Sequence, residues 1–108
     1  MYMSEIAIQL PSREGFSGVI NTEFRVNNGE EEDFEIRLVS VDEIVSNDIQ
    51  ENFTLLFRAP FDAPQQQGIY RLEHDNVGAM DLFLVPVKQD ESGLYYEAVF
   101  NQLKAAAA

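Results

Sequence analysis

Few residues of this chain are equipped for chemistry. His74 is the only histidine. An imidazole is the side chain most readily used as a general base or metal ligand near neutral pH, and here it would act without a histidine partner. It follows Glu73 at the end of an alternating apolar run and precedes Asp75-Asn76, a turn pair, so it reads as a structural or solvent-facing residue. The densest charge run is Glu30-Glu31-Glu32-Asp33, followed by Glu35. Its carboxylates are of the kind calcium takes, but the EF-hand spacing is missing. Adjacent residues in an extended chain point to opposite faces, so consecutive acids do not converge on one ion. The run reads as a solvated hairpin loop that also discourages edge pairing.

The G-x-S-x-G elbow, the P-loop, the dinucleotide-binding glycine pattern and H-E-x-x-H are all absent. The chain has no cysteine, which excludes disulfides, a thiolate nucleophile and thiolate-held zinc or iron–sulfur clusters. The expectation is therefore no catalytic residue, no metal site and no cofactor. A hydrolase built on Asp/Glu pairs is a residual reading that carboxylate spacing in a cleft would decide. What stands out instead is apolar: Leu56, Phe61 and Tyr95 occupy candidate outward positions, where aromatic and aliphatic residues anchor protein interfaces. The competing reading is that a second sheet layer, or the segment 39–51, covers them.

The elements that would position these residues follow from period-two alternation. Phe24 and Val26 alternate with polar neighbours, and Asn27-Asn28-Gly29 tolerates the positive φ of a turn before Phe34-Ile36-Leu38. Phe53-Leu55-Phe57 is apolar on one face and partly so on the other, which marks a central strand. Pro60 and Pro64 then impose a loop, because proline lacks an amide donor and restricts the residue before it. Tyr70-Leu72, Met80-Leu82-Leu84 and Tyr96-Ala98-Phe100 are separated by turn chemistry at 75–78 and 90–93. These last runs predict an antiparallel meander, with Pro86 at an edge, bulge or strand end. Ser12 can cap a short helix carrying Phe16, Val19 and Ile20, packed over an open end of the sheet. Residues 39–51 fit neither period and are expected to be a bulged strand followed by a covering loop.

The fold class is all-β: a small antiparallel barrel or sandwich of about six to seven strands, with one short N-terminal helical turn. A length of 108 residues suits one domain over 11–104, with 1–10 as a strand or arm and 105–108 as a tail or expression remnant. Ile6, Ile8 and Leu10 recur at period two in the arm, which either joins its own sheet or adds to a neighbour's sheet edge. Seven Lys and Arg against 19 Asp and Glu give a net charge of −12, which repels nucleic-acid backbones and anionic lipid. No apolar run approaches bilayer-spanning length, so no membrane insertion is expected. The first residues lack a basic region followed by an apolar stretch, so Sec export is not indicated; the expected location is the cytoplasm, or release or display as part of an assembly. An apolar content of 45% exceeds what one face of each strand accounts for and points to a covered second face.

The order Leu55-Leu56-Phe57-Arg58-Ala59-Pro60, Gln67-Gly68-Ile69-Tyr70-Arg71-Leu72-Glu73-His74, Leu82-Phe83-Leu84-Val85-Pro86-Val87 and Tyr96-Glu97-Ala98-Val99-Phe100-Asn101 resembles a family of small bacterial domains of unknown function. Ser12, Phe16 and Phe24-Arg25-Val26 also suit it, so the likeness runs over about residues 10 to 101. Members are often encoded near phage-tail collar or tail-fibre-like genes. The resemblance implies a small β domain with a role in a surface or tail-like assembly, and it carries no reaction or ligand onto any residue here. The expected function is a non-enzymatic structural or interaction module whose partner is another protein, further copies of itself, or both. The alternative is a barrel that binds a small ligand or a cation at an open end.

Overall fold

The computed structural model describes residues 11–29 and 31–103. The expectations for Ile6, Ile8 and Leu10, for Glu30 and for 104–108 lie outside the described residues. Among the described residues one short helix precedes six strands: α1 (Arg13–Ser17), β1 (Glu23–Asn27), β2 (Phe34–Ser46), β3 (Gln50–Ala59), β4 (Gly68–His74), β5 (Gly78–Asp90) and β6 (Gly93–Leu103). Every pairing is antiparallel, and the sheet closes on itself in the order β1-β2-β3-β6-β5-β4. The all-β expectation holds, and of its two forms the closed ring is the one adopted. β3 is flanked by β2 and β6, though in a closed ring no strand is central, and β4-β5-β6 form the expected meander.

The alternation that identified the strands is the alternation of burial. Phe24, Val26, Ile36, Leu38, Phe53, Leu55, Phe57, Leu72, Leu82, Leu84, Tyr96 and Ala98 point inward and are buried. Phe24 meets Phe57 edge-on at 5.4 Å between ring centroids, a favourable aromatic geometry. A small barrel is filled by its own side chains, and these rings pack its interior.

Ser12 caps α1: its Oγ accepts the Gly15 N–H at 3.2 Å. A helix this short is held by packing rather than by propensity. Phe16 is the anchor, with its ring 6.2 Å from Phe53 and 5.3 Å from Phe100, which are themselves stacked at 4.8 Å. The Arg13 guanidinium reaches Glu51 on β3 at 3.2 Å. The helix therefore covers the end of the barrel where β3 begins, as expected of it.

A loop spanning 60–67 folds over between β3 and β4, fastened by two phenols. The Tyr96 hydroxyl donates to the Pro64 carbonyl, and the Tyr70 hydroxyl donates to the Gln66 carbonyl at 2.5 Å. Burial pushes the Tyr96 phenol well above its usual value, and the neighbouring Tyr70 hydroxyl adds to the shift. Tyr70 is raised by burial too, partly offset by its contact with Tyr96.

Residues 39–51 correct one expectation. The bulged strand is there, with register shifts between Leu38 and Ser40 and between Glu43 and Val45. There is no covering loop: β2 runs on to Ser46, turns tightly and returns as β3. Asn47 makes the turn by accepting the Ile49 and Gln50 amides on its side-chain oxygen at 2.9 and 2.8 Å. Each bulge inserts a residue into the pleat, which erases the period on which the strand would be recognised. Pro86 sits beside the bulge expected of it, where pairing with β6 slips between Pro86 and Lys88.

Candidate functional site

The residues singled out for chemistry are occupied structurally. His74 Nδ1 accepts the backbone N–H of Asn76 at 3.0 Å and of Val77 at 3.4 Å. Those amides can only donate, so the proton lies on Nε2, which donates to Thr22 Oγ1 at 2.8 Å. The Thr22 hydroxyl in turn donates a hydrogen bond to the Val19 carbonyl at 2.6 Å. With its ring against Phe24 at 4.5 Å, the imidazole braces the β4–β5 turn to the chain entering β1. The depression beside it is lined by Glu23, Arg25, Glu35, Glu73 and Asp75, with Arg25 and Glu73 paired at 3.7 Å. In the acidic run, Asp33 accepts the Asn28 amide at 3.1 Å and so closes the β1–β2 loop. Among the described residues no three His, Asp or Glu side chains gather where they could hold a metal.

The feature without a structural explanation is a seam in the barrel wall. β5 and β6 pair from Asp90↔Gly93 down to Val85↔Glu97 and then part. Beyond that point, among the described residues, 78–84 of β5 pair only with β4 and 98–103 of β6 pair only with β3. The bulge next to Pro86 lies just above the fork, and a bulge bends its strand and sharpens the local twist.

Between the two strands lies a cleft of about 490 Å³, rimmed by Asp81, Phe83 and Val85 on one side and Glu97, Val99 and Asn101 on the other. Leu82, Leu84, Ala98 and Phe100 point inward and stay buried, so the cleft does not open the core. The outward residues are another matter. Phe83 is 52% exposed, Val99 57% and Ile69, paired with Phe83 on β4, 75%. Two charges flank them: Asp81, bound to Arg71 at 3.2 Å, and Glu97, which takes part in no ion pair among the described residues.

The interface candidates within the described residues are scattered around this wall. Phe61 is 52% exposed in the 60–67 loop, and its carbonyl accepts from the Gln89 side chain at 3.5 Å. Leu56 is half-buried on β3, opposite Glu97. Tyr95 points outward but is only 8% exposed, with the Lys88 ammonium 4.6 Å above its ring; it offers no open surface. Ile69, Phe83 and Val99 were missed. The signal for Phe83 was present in Leu82-Phe83-Leu84-Val85, which is apolar at both parities.

The profile of Domain of unknown function (DUF6916) matches residues 11–100. The chain belongs to the DUF6916 family. No curated protein and no solved structure matches it. The DUF6916 region starts just before the Ser12 cap and ends at Phe100, so it takes in the helix, β1 to β5 and β6 as far as Phe100, and leaves Asn101 on the rim of the seam outside it. This agrees with the domain-of-unknown-function family expected from the order of motifs.

Proposed function

We propose that this DUF6916 domain is a non-enzymatic interaction module, a subunit or accessory of a phage-tail-like or fibre-like protein assembly. The seam supports the reading: strand edges unpaired among the described residues and exposed apolar residues lie together on one wall, a combination typical of surfaces that meet another protein. The tail-like setting comes from the resemblance to domains encoded near tail-fibre-like genes. A photo-crosslinking residue at Phe83 in the native host, with Glu31 as the exposed control, tests it. Adducts to an assembly protein at 83 and none at 31 support the module. Absence of adducts at 83 across growth and lytic conditions overturns it.

The small-ligand reading draws less support, because Phe24, Phe57, Tyr96 and the Phe16-Phe53-Phe100 group fill the barrel. A thermal-shift screen with calcium and metabolites checks it, since a ligand bound only by the folded state must raise Tm.

A further inference from the structure

We propose that the seam is a strand-addition site, and that its occupant is an extended segment of a partner protein with basic residues flanking an apolar centre. The inference rests on the interaction-module reading and specifies its mode and partner.

The first support is the state of the edges. An unpaired strand presents a row of amide donors and carbonyl acceptors, and folded proteins normally blunt such edges with lysine, proline or cover. Here residues 78–84 read Gly-Ala-Met-Asp-Leu-Phe-Leu and residues 98–103 read Ala-Val-Phe-Asn-Gln-Leu. Neither holds a lysine or a proline, and Asp81 is the single charge. Both edges face the same cleft, so one inserted strand would satisfy both by main-chain pairing.

The second support is the order of side chains from the fork outward. Val85 and Glu97 face each other at the apex; continuing both strands from there brings Phe83 level with Val99, then Asp81 level with Asn101. Outward residues of an inserted strand fall two apart. They would meet the carboxylate of Glu97, an apolar pair at Phe83 and Val99, and then the carboxylate of Asp81, which the incoming cation would share with Arg71. The complementary sequence is basic, apolar and basic at alternate positions. The intervening residues, turned toward Leu82, Ala98 and Phe100 on the floor of the cleft, would be apolar.

Charge also argues against this chain as its own partner. Residues 1–10 alternate suitably at Ile6, Ile8 and Leu10, yet they contain Glu5 and no Lys or Arg, and the whole chain carries −12. An acidic rim favours a basic occupant from elsewhere.

The test uses the full chain and the capped peptide Lys-Val-Ile-Val-Lys. Controls are the same peptide with Glu at both ends, the same with Pro at the centre, and a peptide of residues 1–10. Hydrogen exchange and amide chemical shifts report on residues 79–84 and 98–101. The expected result is protection at both lips by the lysine peptide, none by the proline peptide, and weakening of about tenfold on Glu97→Lys with the glutamate peptide gaining in its place. Glu97→Gln, a milder change, should give the same order of preference with a smaller loss. Stronger protection by the 1–10 peptide overturns the assignment of the partner, and protection by no peptide overturns strand addition. Crosslinks at 83 that persist in either case leave the interaction module standing.

Discussion

His74 Nε2 lies 2.8 Å from Thr22 Oγ1 and joins the β4–β5 turn to the residue before β1, fifty-two positions earlier in the chain. Because Thr22 and both ring nitrogens are committed, removing one partner strands the others. Thr22→Val should destabilise the fold by about 1 kcal/mol, the lower part of the range for a half-buried hydrogen bond left unmade. His74→Ala should cost more, since it also frees the Asn76 and Val77 amides. Urea unfolding of both variants and their double mutant checks this; fully additive effects would mean the pair is not coupled.

Gly93 governs the β5–β6 turn. Its φ of +145° is strained for any L side chain, and a Cβ there would stand 2.2 Å from the Ala59 carbonyl oxygen on β3. Gly93→Ala should therefore destabilise by about 2–4 kcal/mol, with amide shifts centred on Ala59 and Leu94. A melting temperature unchanged from the parent chain would contradict it.

Alkaline pH should loosen the 60–67 loop. Tyr96 and Tyr70 both have phenols raised above the usual 10.0, so the folded state holds these protons more tightly than the unfolded chain. Their contribution to stability is complete below pH 10 and is lost as pH climbs through the folded values. Tyrosinate absorbance should show late-titrating phenols in the folded protein, and denaturant midpoints should fall above pH 10. Tyr96→Phe should flatten that fall. A folded protein whose tyrosines all titrate at the usual value would sink the prediction.

Phe16 is the only residue of α1 that is buried. Phe16→Ala should destabilise by about 3–5 kcal/mol, as for other buried phenylalanines, and should expose Phe53 and Phe100. Arg13→Ala should cost far less, because its ion pairs are partly exposed. Calorimetry of the two variants separates packing from charge as the force holding the helix.

Much of the barrel was legible because burial follows parity. Phe24 and Val26, Phe53 to Phe57 and Tyr96 to Phe100 announce their strands, and Asn28-Gly29, Asn76-Val77-Gly78 and Glu91-Ser92-Gly93 announce their turns. The β2–β3 hairpin was obscured by its own bulges at 38–40 and 43–45, which add residues the alternation does not count. Tyr95 shows a second limit: its outward parity was readable, but not that it would be buried between neighbouring strands with the Lys88 ammonium over its ring. The seam was out of reach for a related reason. Nothing local to 78–84 or 98–103 says that two neighbouring strands stop pairing; that depends on how the bulge beside Pro86 twists the sheet around the ring.

The fork also makes the ring mechanically uneven. Every other junction runs along most of the shorter strand, whereas β5 and β6 are fastened only above Val85 and Glu97. Tension delivered to the lips would act as a peeling load, concentrated on one rung at a time, and the same tension along the strands would be shared in shear. A fibre built on this domain would therefore be strong or weak according to the direction in which it is pulled.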